Sequence, residues 1–254
     1  MTKRRVRSIR QSIDCETGLK SGAVPVFKRG VEEEMKSPEL DPELVLSLLS
    51  ALANWEQSET IAFSHDFMRL GDKEALASYD NLALANPVVQ EMLEHRYLSP
   101  EPDLEYLASL PEETLGNQFE AMLRSKGLDA NMLRESAFID AHRKRGEDVG
   151  YVAERGWQLH DLYHVLTGWD TSPIGEVKVV SFTVAQTPAP YPALTMTMRP
   201  LQAALYKPEL LPILFDAISE GWTLGRRTPP LINIHWEDFW ERPLAEIQKE
   251  LGLV

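Results

Sequence analysis

Apolar residues recur at spacings of three and four along most of the chain after residue 40, and this spacing predicts helices. An Asp or Asn before a proline, as at Asp41 and Asn86, is typical of a helix start. A glycine after the last apolar residue, as at Gly71 and Gly127, is typical of a helix end. The clearest predicted helices lie within residues 41–55, 58–72, 86–100, 110–129 and 207–222.

Two of these segments also predict which side chains are buried. Leu115, Phe119 and Leu123 recur at a spacing of four and should share one buried face. In the last segment Pro212 falls in the first helical turn, where proline is tolerated. Its predicted apolar stripe consists of Leu210, Leu211, Leu214, Phe215 and Ile218.

Two segments could instead form strands. Residues 176–187 are rich in β-branched side chains and fit both a two-residue and a helical period, so periodicity does not choose between them. Residues 231–236 are the second strand candidate. Because every other element reads as helix and no internal repeat is visible, we predict an all-α, single-domain multi-helix bundle over residues 41–254. Residues 1–40 lack periodicity and are predicted to form a loosely ordered N-terminal arm.

The composition is that of a soluble globular protein, with 254 residues, 43% hydrophobic and 26% charged. It excludes a fully disordered chain, a fibre and a multi-span membrane protein. A formal net charge of −13 argues against a nucleic-acid partner, because an acidic surface repels phosphates. The single cysteine, Cys15, cannot form an internal disulfide, which favours a reducing compartment.

Two segments were candidates for targeting or membrane insertion. The first ten residues carry five basic groups but lead into no apolar run, so we expect no secretory signal. A disordered basic tail is the first expectation, and a short Arg-rich, acid-poor transit-like segment is the alternative. Residues 179–198 have the length of a membrane span. They contain Pro188, Pro190 and Pro192, which would leave backbone groups unpaired in lipid, so we expect no transmembrane helix.

The densest cluster of metal-ligand residue types lies between residues 160 and 176. His160 and His164 are one helical turn apart, and Asp161 precedes His164 by three residues. Gly168 should end this helix, and the chain then turns back and brings Glu176 to the same point. Imidazoles and carboxylates suit zinc, ferrous iron, manganese or cobalt. A structural role without metal, with His160 paired to Asp161 or Glu154, stays open on spacing alone.

The other histidines are weaker candidates. His65 and Asp66 lack a second histidine within reach, and His95 and His142 should be solvated on charged helical faces. His235, beside Trp236, is interpreted as a buried structural residue. Met196 and Met198 are interpreted as packing between helices, although methionines can also line a site for a prenyl chain.

The cluster resembles the signature of the ubiquinone-biosynthesis family called coenzyme Q biosynthesis protein four. That signature is His-Asp, two residues, His, eleven residues and Glu, and it is met in full from His160 to Glu176. Arg155 upstream, Gly175 and Gln186 also fit, as do residues 107–123 and the segment 221–254. The resemblance covers roughly residues 55–254.

The resemblance implies an all-α fold that usually forms a homodimer and works at a membrane surface. It also implies that the metal site lies near a cavity for a long polyprenyl tail. It implies that His160, Asp161, His164 and Glu176 bind one divalent metal ion, with zinc as the first expectation and iron, manganese, cobalt or magnesium as alternatives. The implied reaction replaces the C1 carboxyl group of a polyprenylated aromatic acid with hydroxyl. Implied partners are this quinone precursor and other ubiquinone-biosynthesis enzymes.

The implied location depends on the source. It is the cytoplasmic side of the membrane in a bacterium, or the matrix side of the mitochondrial inner membrane in a eukaryote.

Two functions of other classes remain as alternatives. One is a non-catalytic scaffold that binds prenyl lipids and organises a quinone-biosynthesis complex. The other is a metal-dependent phosphohydrolase, which would need a second His-Asp pair such as His65 and Asp66. No nucleophile motif or Gly-rich phosphate loop is present, so we expect an enzyme that uses a metal without a covalent intermediate.

Overall fold

The structure, a computed structural model, describes residues 42–53, 73–128 and 137–254. Every regular element in these ranges is helical, which confirms the all-α fold. The α-helices are α1 (Pro42–Ala53), α2 (Lys73–Leu84), α3 (Pro87–His95), α4 (Leu104–Ser109), α5 (Leu115–Lys126), α6 (Ala137–Arg143), α7 (Glu147–Thr167), α8 (Pro173–Gln186), α9 (Pro190–Tyr206), α10 (Leu211–Arg227) and α11 (Leu244–Leu251). Two short 3-10 turns, Pro208–Leu210 and Trp236–Phe239, precede α10 and α11.

The boundary signals in the sequence are confirmed at α3 and α5. The side chain of Asn86 accepts a hydrogen bond from the backbone N–H of Val88 and caps α3. Gly127 ends α5 in the left-handed conformation, with φ +63°. Leu115, Phe119 and Leu123 are all buried on the face of α5 that packs into the core, as their spacing predicted.

The main hydrophobic core surrounds α7, the longest helix, which buries Leu159, Leu162 and Leu166. Beside it α8 and α10 pack closely along their length. Gly221 and Gly225 make this approach possible, because a Cβ at either would overlap the backbone of α8 at Lys178 or Phe182. The two helices therefore run side by side in the same direction.

Gln186 links the C-terminal ends of α8 and α10. Its buried amide donates to the carbonyls of Gly225 and Thr228, at 2.8 and 3.0 Å, and accepts from the N–H of Leu231 at 2.9 Å. One side chain thus ties the end of α8 to the end of α10 and to the segment that follows.

Neither of the two strand candidates forms a strand in the structure. Residues 176–187 lie in α8 except for the last, Thr187, which caps it. The strand candidate at residues 231–236 does not form a strand: Leu231, Ile232 and Ile234 are buried, but in a loop that leads into the second 3-10 turn. The carbonyls of Ile232 and Ile234 accept from the Arg155 guanidinium, so no neighbouring strand is needed to satisfy them.

Other predictions are corrected in part or remain outside the described ranges. Leu214 is buried as predicted, but Phe215 is 57% exposed, so the apolar stripe of α10 is narrower than its sequence indicates. The predicted helix at residues 58–72 and the N-terminal arm, residues 1–40, lie outside the described residues. Within the described part of the chain, no helix has the length and apolar character needed to cross a membrane.

Candidate metal centre

Two features of α7 bring His160 and His164 to one point. Four residues separate them along the helix, so both imidazoles leave the same face, with ring centroids 5.1 Å apart. The helix ends at Gly168, which adopts the left-handed conformation with φ +72°, as its sequence predicted. The chain therefore turns back directly after His164.

The turn between α7 and α8 positions Glu176. The Asp170 carboxylate accepts hydrogen bonds from the N–H and the hydroxyl of Ser172, and the Ser172 hydroxyl in turn caps α8 by accepting from the N–H of Gly175. A Cβ at Gly175 would overlap the carbonyl oxygen of Asp170, so only glycine allows the turn to lie this close to α8. Glu176, in the first turn of α8, then faces the two histidines.

The Glu176 carboxylate bridges the two imidazoles. Its Oε2 lies 3.1 Å from Nε2 of His160, and its Oε1 lies 3.3 Å from Nε2 of His164. One ligand atom from each of these three residues falls within 4.8 Å of the others, which is the spacing of groups that share a metal ion. His164 is buried, whereas His160 and Glu176 are partly exposed and leave a side open to a ligand.

The orientation of His164 fits a metal ligand. Its Nδ1 lies 3.0 Å from the carbonyl oxygen of Trp169, and a carbonyl can only accept, so Nδ1 carries the proton. The lone pair of Nε2 then points toward the site. That nitrogen is buried and makes no aligned hydrogen bond, despite its 3.3 Å approach to Glu176. A backbone carbonyl behind a histidine is the usual support for a metal-binding imidazole.

Glu176 and His164 shift each other's pKa. Burial works against the charged form of Glu176, but contacts with His160 and His164 outweigh it and hold the pKa of this carboxyl well below its usual range. Burial likewise works against protonation of His164, yet the nearby Glu176 carboxylate raises the pKa of this imidazole. Both shifts favour an ionised Glu176 carboxylate beside a protonated His164 imidazole. A bound metal ion would supply the positive charge in place of that proton.

Asp161 lies beside this trio and outside the group of three ligand atoms. Burial raises the pKa of its carboxyl, while the charges of His160 and His164 act in the opposite direction. Its assignment as a fourth ligand therefore stays a prediction.

The remaining histidines have varied outcomes. His95 is exposed, as predicted. His142 was predicted to be solvated but is buried, with 4% exposure. His235 was interpreted as buried but is exposed, and it stacks on Tyr97 with ring centroids 3.6 Å apart. His65 and Asp66 lie outside the described residues, so the pair required for a phosphohydrolase is not tested.

Sequence reasoning missed two residues that support the centre. Trp169 fixes His164 through its backbone carbonyl, and no side-chain motif signals such a role. Trp157 lies one turn before His160 and packs edge-on against its ring at 5.4 Å. Its spacing of three from His160 could have placed it on the same helical face.

Arg155 is a buried cation near the middle of the same helix. Its guanidinium donates to the carbonyls of Ile232 and Ile234 at 3.0 and 2.7 Å, and to the Ser99 hydroxyl at 2.7 Å. Burial lowers the pKa of this guanidinium to about 10. Arg155 thus joins α7 to two distant segments and holds the helix that carries both histidines.

The family comparison is decisive. The model of the family described as "Coenzyme Q (ubiquinone) biosynthesis protein Coq4" matches residues 42–254. The chain belongs to the Coq4 family. This confirms the relationship that the signature from His160 to Glu176 indicated.

Individual Coq4 proteins show the same relationship. The mitochondrial ubiquinone biosynthesis protein COQ4 homologue of Rattus norvegicus is 33% identical over 153 residues, 59% of this chain and 54% of the rat protein. The mitochondrial COQ4 protein of the yeast Scheffersomyces stipitis is 29% identical over 174 residues, 67% of this chain and 52% of the yeast protein. The chain spans about half the length of the curated relatives it matches. Both of these relatives are named as ubiquinone biosynthesis proteins.

A solved structure shares the fold. A provisionally assigned ubiquinone biosynthesis protein from Nostoc punctiforme superposes with a TM-score of 0.63 and is 27% identical. The match covers 83% of this chain and 96% of that protein. The overall helical fold of this chain is therefore also found in a crystal structure.

Proposed function

We propose that the chain is a metal-dependent enzyme of ubiquinone biosynthesis that removes the C1 carboxyl group of a polyprenylated aromatic acid and puts a hydroxyl group in its place. The observation that carries the proposal is the Glu176 carboxylate held between Nε2 of His160 and Nε2 of His164. This is a mixed nitrogen and oxygen donor set, and one of its nitrogens is buried without an aligned hydrogen bond.

The residues present fit a divalent metal ion. His160, His164 and Glu176 would hold it, with Asp161 as the proposed fourth ligand and zinc as the first candidate. When bound, such an ion acts as a Lewis acid that stabilises negative charge on a ring oxygen. The donor set contains no thiolate, so it differs from closed structural zinc sites of the cysteine type. The three ligand atoms that lie together, from His160, His164 and Glu176, would leave a further coordination position for a substrate oxygen.

The chain's own groups would orient and shield the reaction. The Trp169 carbonyl fixes the His164 ring, and the edge of Trp157 covers His160. Replacing carboxyl by hydroxyl releases carbon dioxide and oxidises the ring carbon by two electrons, so the reaction needs a two-electron oxidant. Dioxygen is the oxidant in this proposal: together with one water molecule it supplies the hydroxyl oxygen and leaves as hydrogen peroxide, which balances atoms and electrons. No covalent link to the protein is required.

The oligomeric state, the location and the protein partners belong to the same proposal and rest on the resemblance. We expect a homodimer that works on the membrane surface with other ubiquinone-biosynthesis enzymes. In a bacterium the site would face the cytoplasm. In a eukaryote we expect the matrix side of the mitochondrial inner membrane, and the names of the eukaryotic relatives agree with a mitochondrial location.

The test is complementation of a strain that lacks its own Coq4. The wild-type chain should restore ubiquinone, whereas His164→Ala and Glu176→Ala should not, because each removes a metal ligand. His95→Ala is the matched control, since His95 is exposed at the end of α3 and should complement fully. Full restoration by His164→Ala at normal protein levels would contradict the enzymatic proposal and favour the prenyl-lipid scaffold.

A further inference from the structure

The indole ring of Trp169 lies between α8 and α10. Its N–H donates to Oε1 of Glu220 on α10 at 3.1 Å. The ring of Phe182 on α8 meets it edge-on, with ring centroids 6.3 Å apart, and the Lys178 ammonium lies 5.8 Å from the centre of the indole. The side chain of Trp169 is therefore held by two helices other than α7, which carries both histidines of the centre.

Both carboxylate oxygens of Glu220 are engaged. Oε1 accepts from the indole, and Oε2 lies 2.6 Å from the Lys178 ammonium. Lys178 follows Glu176 by two residues on α8. The next residue on α10, Gly221, lets the two helices approach closely, because a Cβ there would overlap the carbonyl oxygen of Lys178. The packing of α8 on α10 therefore sets where the Glu220 carboxylate lies relative to the turn after α7.

The backbone of this turn has little packing of its own at Gly168. This residue is exposed, is left-handed with φ +72°, and has nothing described within 4 Å of a Cβ placed there. The N–H of Trp169 makes only a long contact, 3.4 Å, to the hydroxyl of Thr167. The carbonyl of Trp169 nevertheless lies 3.0 Å from Nδ1 of His164. The indole, which is held on both sides, is therefore the main restraint on the position of this carbonyl.

We infer that Glu220 is a positioning residue of the centre. By holding the Trp169 indole, it keeps the Trp169 carbonyl behind Nδ1 of His164, and the imidazole then presents Nε2 to Glu176. Glu220 acts through Trp169 and is not a catalytic residue. The effect on metal binding rests on the proposed function, whereas the chain of hydrogen bonds from Glu220 to His164 does not.

This role can be separated from the overall stability of the fold. The side chain of Glu220 is 51% exposed, and an ion pair at such a position contributes little to folding. An indole N–H can only donate and a carboxylate can only accept, so the contact between Trp169 and Glu220 has one possible direction. Loss of Glu220 should therefore release the turn without unfolding the helices around it.

The direct test is hydrogen exchange of the Nδ1–H of His164 in the purified, metal-free full chain, measured by NMR of the nitrogen-15-labelled histidine rings. This proton should exchange slowly in the wild type, because the imidazole is buried and donates to the Trp169 carbonyl. Glu220→Ala should speed the exchange at least about tenfold, as expected for the loss of a hydrogen bond to a charged group. The backbone amides of α7 should keep their protection.

Two further variants test whether the effect passes through the indole. Trp169→Phe keeps an aromatic ring but removes the N–H, so it should speed the exchange as Glu220→Ala does, and combining the two should add little. Glu220→Gln keeps an acceptor for the indole and should retain most of the protection. A general loosening of the fold would instead give additive effects, faster exchange of the α7 amides and no rescue by glutamine, and that result would contradict the inference.

Asp216→Ala is the matched control. Asp216 lies one turn before Glu220 on α10, is exposed, and lines the same groove beside Trp169. Its loss removes the same charge from the same side of the helix, and the exchange at His164 should stay at the wild-type rate. Wild-type exchange in both Glu220→Ala and Trp169→Phe, or an equal acceleration in Asp216→Ala, would overturn the inference.

Titration of the same proteins with cobalt(II) separates this inference from the proposed function. Glu220→Ala should bind cobalt about 3- to 10-fold more weakly than the wild type, less than the effect of removing a direct partner of a ligand. Its visible absorption bands should shift, because the His164 ring is no longer held. Exchange that depends on Glu220, without cobalt binding by the wild type, would support the inference and contradict the metal centre. Cobalt binding with wild-type affinity and wild-type exchange in Glu220→Ala would do the reverse.

Discussion

Glu176 and His164 shift each other's protonation, and the signs of the two shifts define a pH window. The pKa of His164 is raised above its ordinary 6.5, so its contact stabilises the metal-free fold below that pH and is lost as the pH rises through the raised value. The pKa of Glu176 is lowered below its ordinary 4.5, so its contribution is present above that pH and is lost on acidification. Their contact therefore stabilises most between about pH 4.5 and 6.5.

We predict that Glu176→Gln lowers the thermal stability of the metal-free protein most within this window. The difference from the wild type should shrink as the pH rises through the raised pKa of His164, because this imidazole then loses its proton. Thermal unfolding with a chelator present measures this. Glu209→Gln is the control, since Glu209 is exposed in the 3-10 turn before α10, and it should show no such pH dependence. A difference that grows with pH would contradict the assigned pair.

At the scale of residues, the sequence predicts only those members of the centre whose side chains recur at a recognisable spacing. His160, His164 and Glu176 follow from a helical turn, a glycine stop and a return of the chain, and the structure brings them together. The role of Trp169 depends on a backbone carbonyl, which any residue supplies, so its side chain gives no signal.

At the scale of elements, the turn between α7 and α8 determines where Glu176 lies. The close approach of Gly175 to Asp170 leaves no room for a side chain. Gly156, within α7, is a useful contrast, because nothing described lies within 4 Å of a Cβ placed there.

We predict that Gly175→Ala weakens zinc affinity at least about tenfold, as expected from a small displacement of a ligand in a preorganised site. Helix content by circular dichroism should stay unchanged. Gly156→Ala should bind zinc as the wild type does, and it should be neutral or stabilising by up to about 1 kcal/mol because alanine favours helix. Wild-type affinity in Gly175→Ala would show that the turn does not position Glu176.

The elements that resisted prediction are those buried on more than one face. In α8, Val177, Val179, Val180 and Phe182 are all buried, so the polar half of the helical period is absent and β-branched composition imitates a strand. The sequence of residues 231–234 also imitates a strand, for a related reason. They are apolar because the loop lies in the core, and their hydrogen-bond partner is a distant arginine. Amphipathic helices with capping residues, such as α3 and α5, were predictable.

At the scale of the whole molecule, the family match over residues 42–254 and the shared fold agree with the all-α bundle that the sequence predicted. The bundle brings α7 and α8 together so that residues 12 and 16 positions apart in sequence meet at one point. Composition and charge excluded classes of protein but did not indicate this chemistry. The information about function lies in one helical turn and the segment after it.

The measurement that tests the central claim most directly is the metal content of the purified full-length chain beside its His164→Ala variant. Elemental analysis after reconstitution with zinc and dialysis should find close to one equivalent in the wild type and almost none in His164→Ala. His95→Ala should retain the wild-type content. Equal metal in the wild type and His164→Ala, or none in either, would contradict a metal centre built by His160, His164 and Glu176.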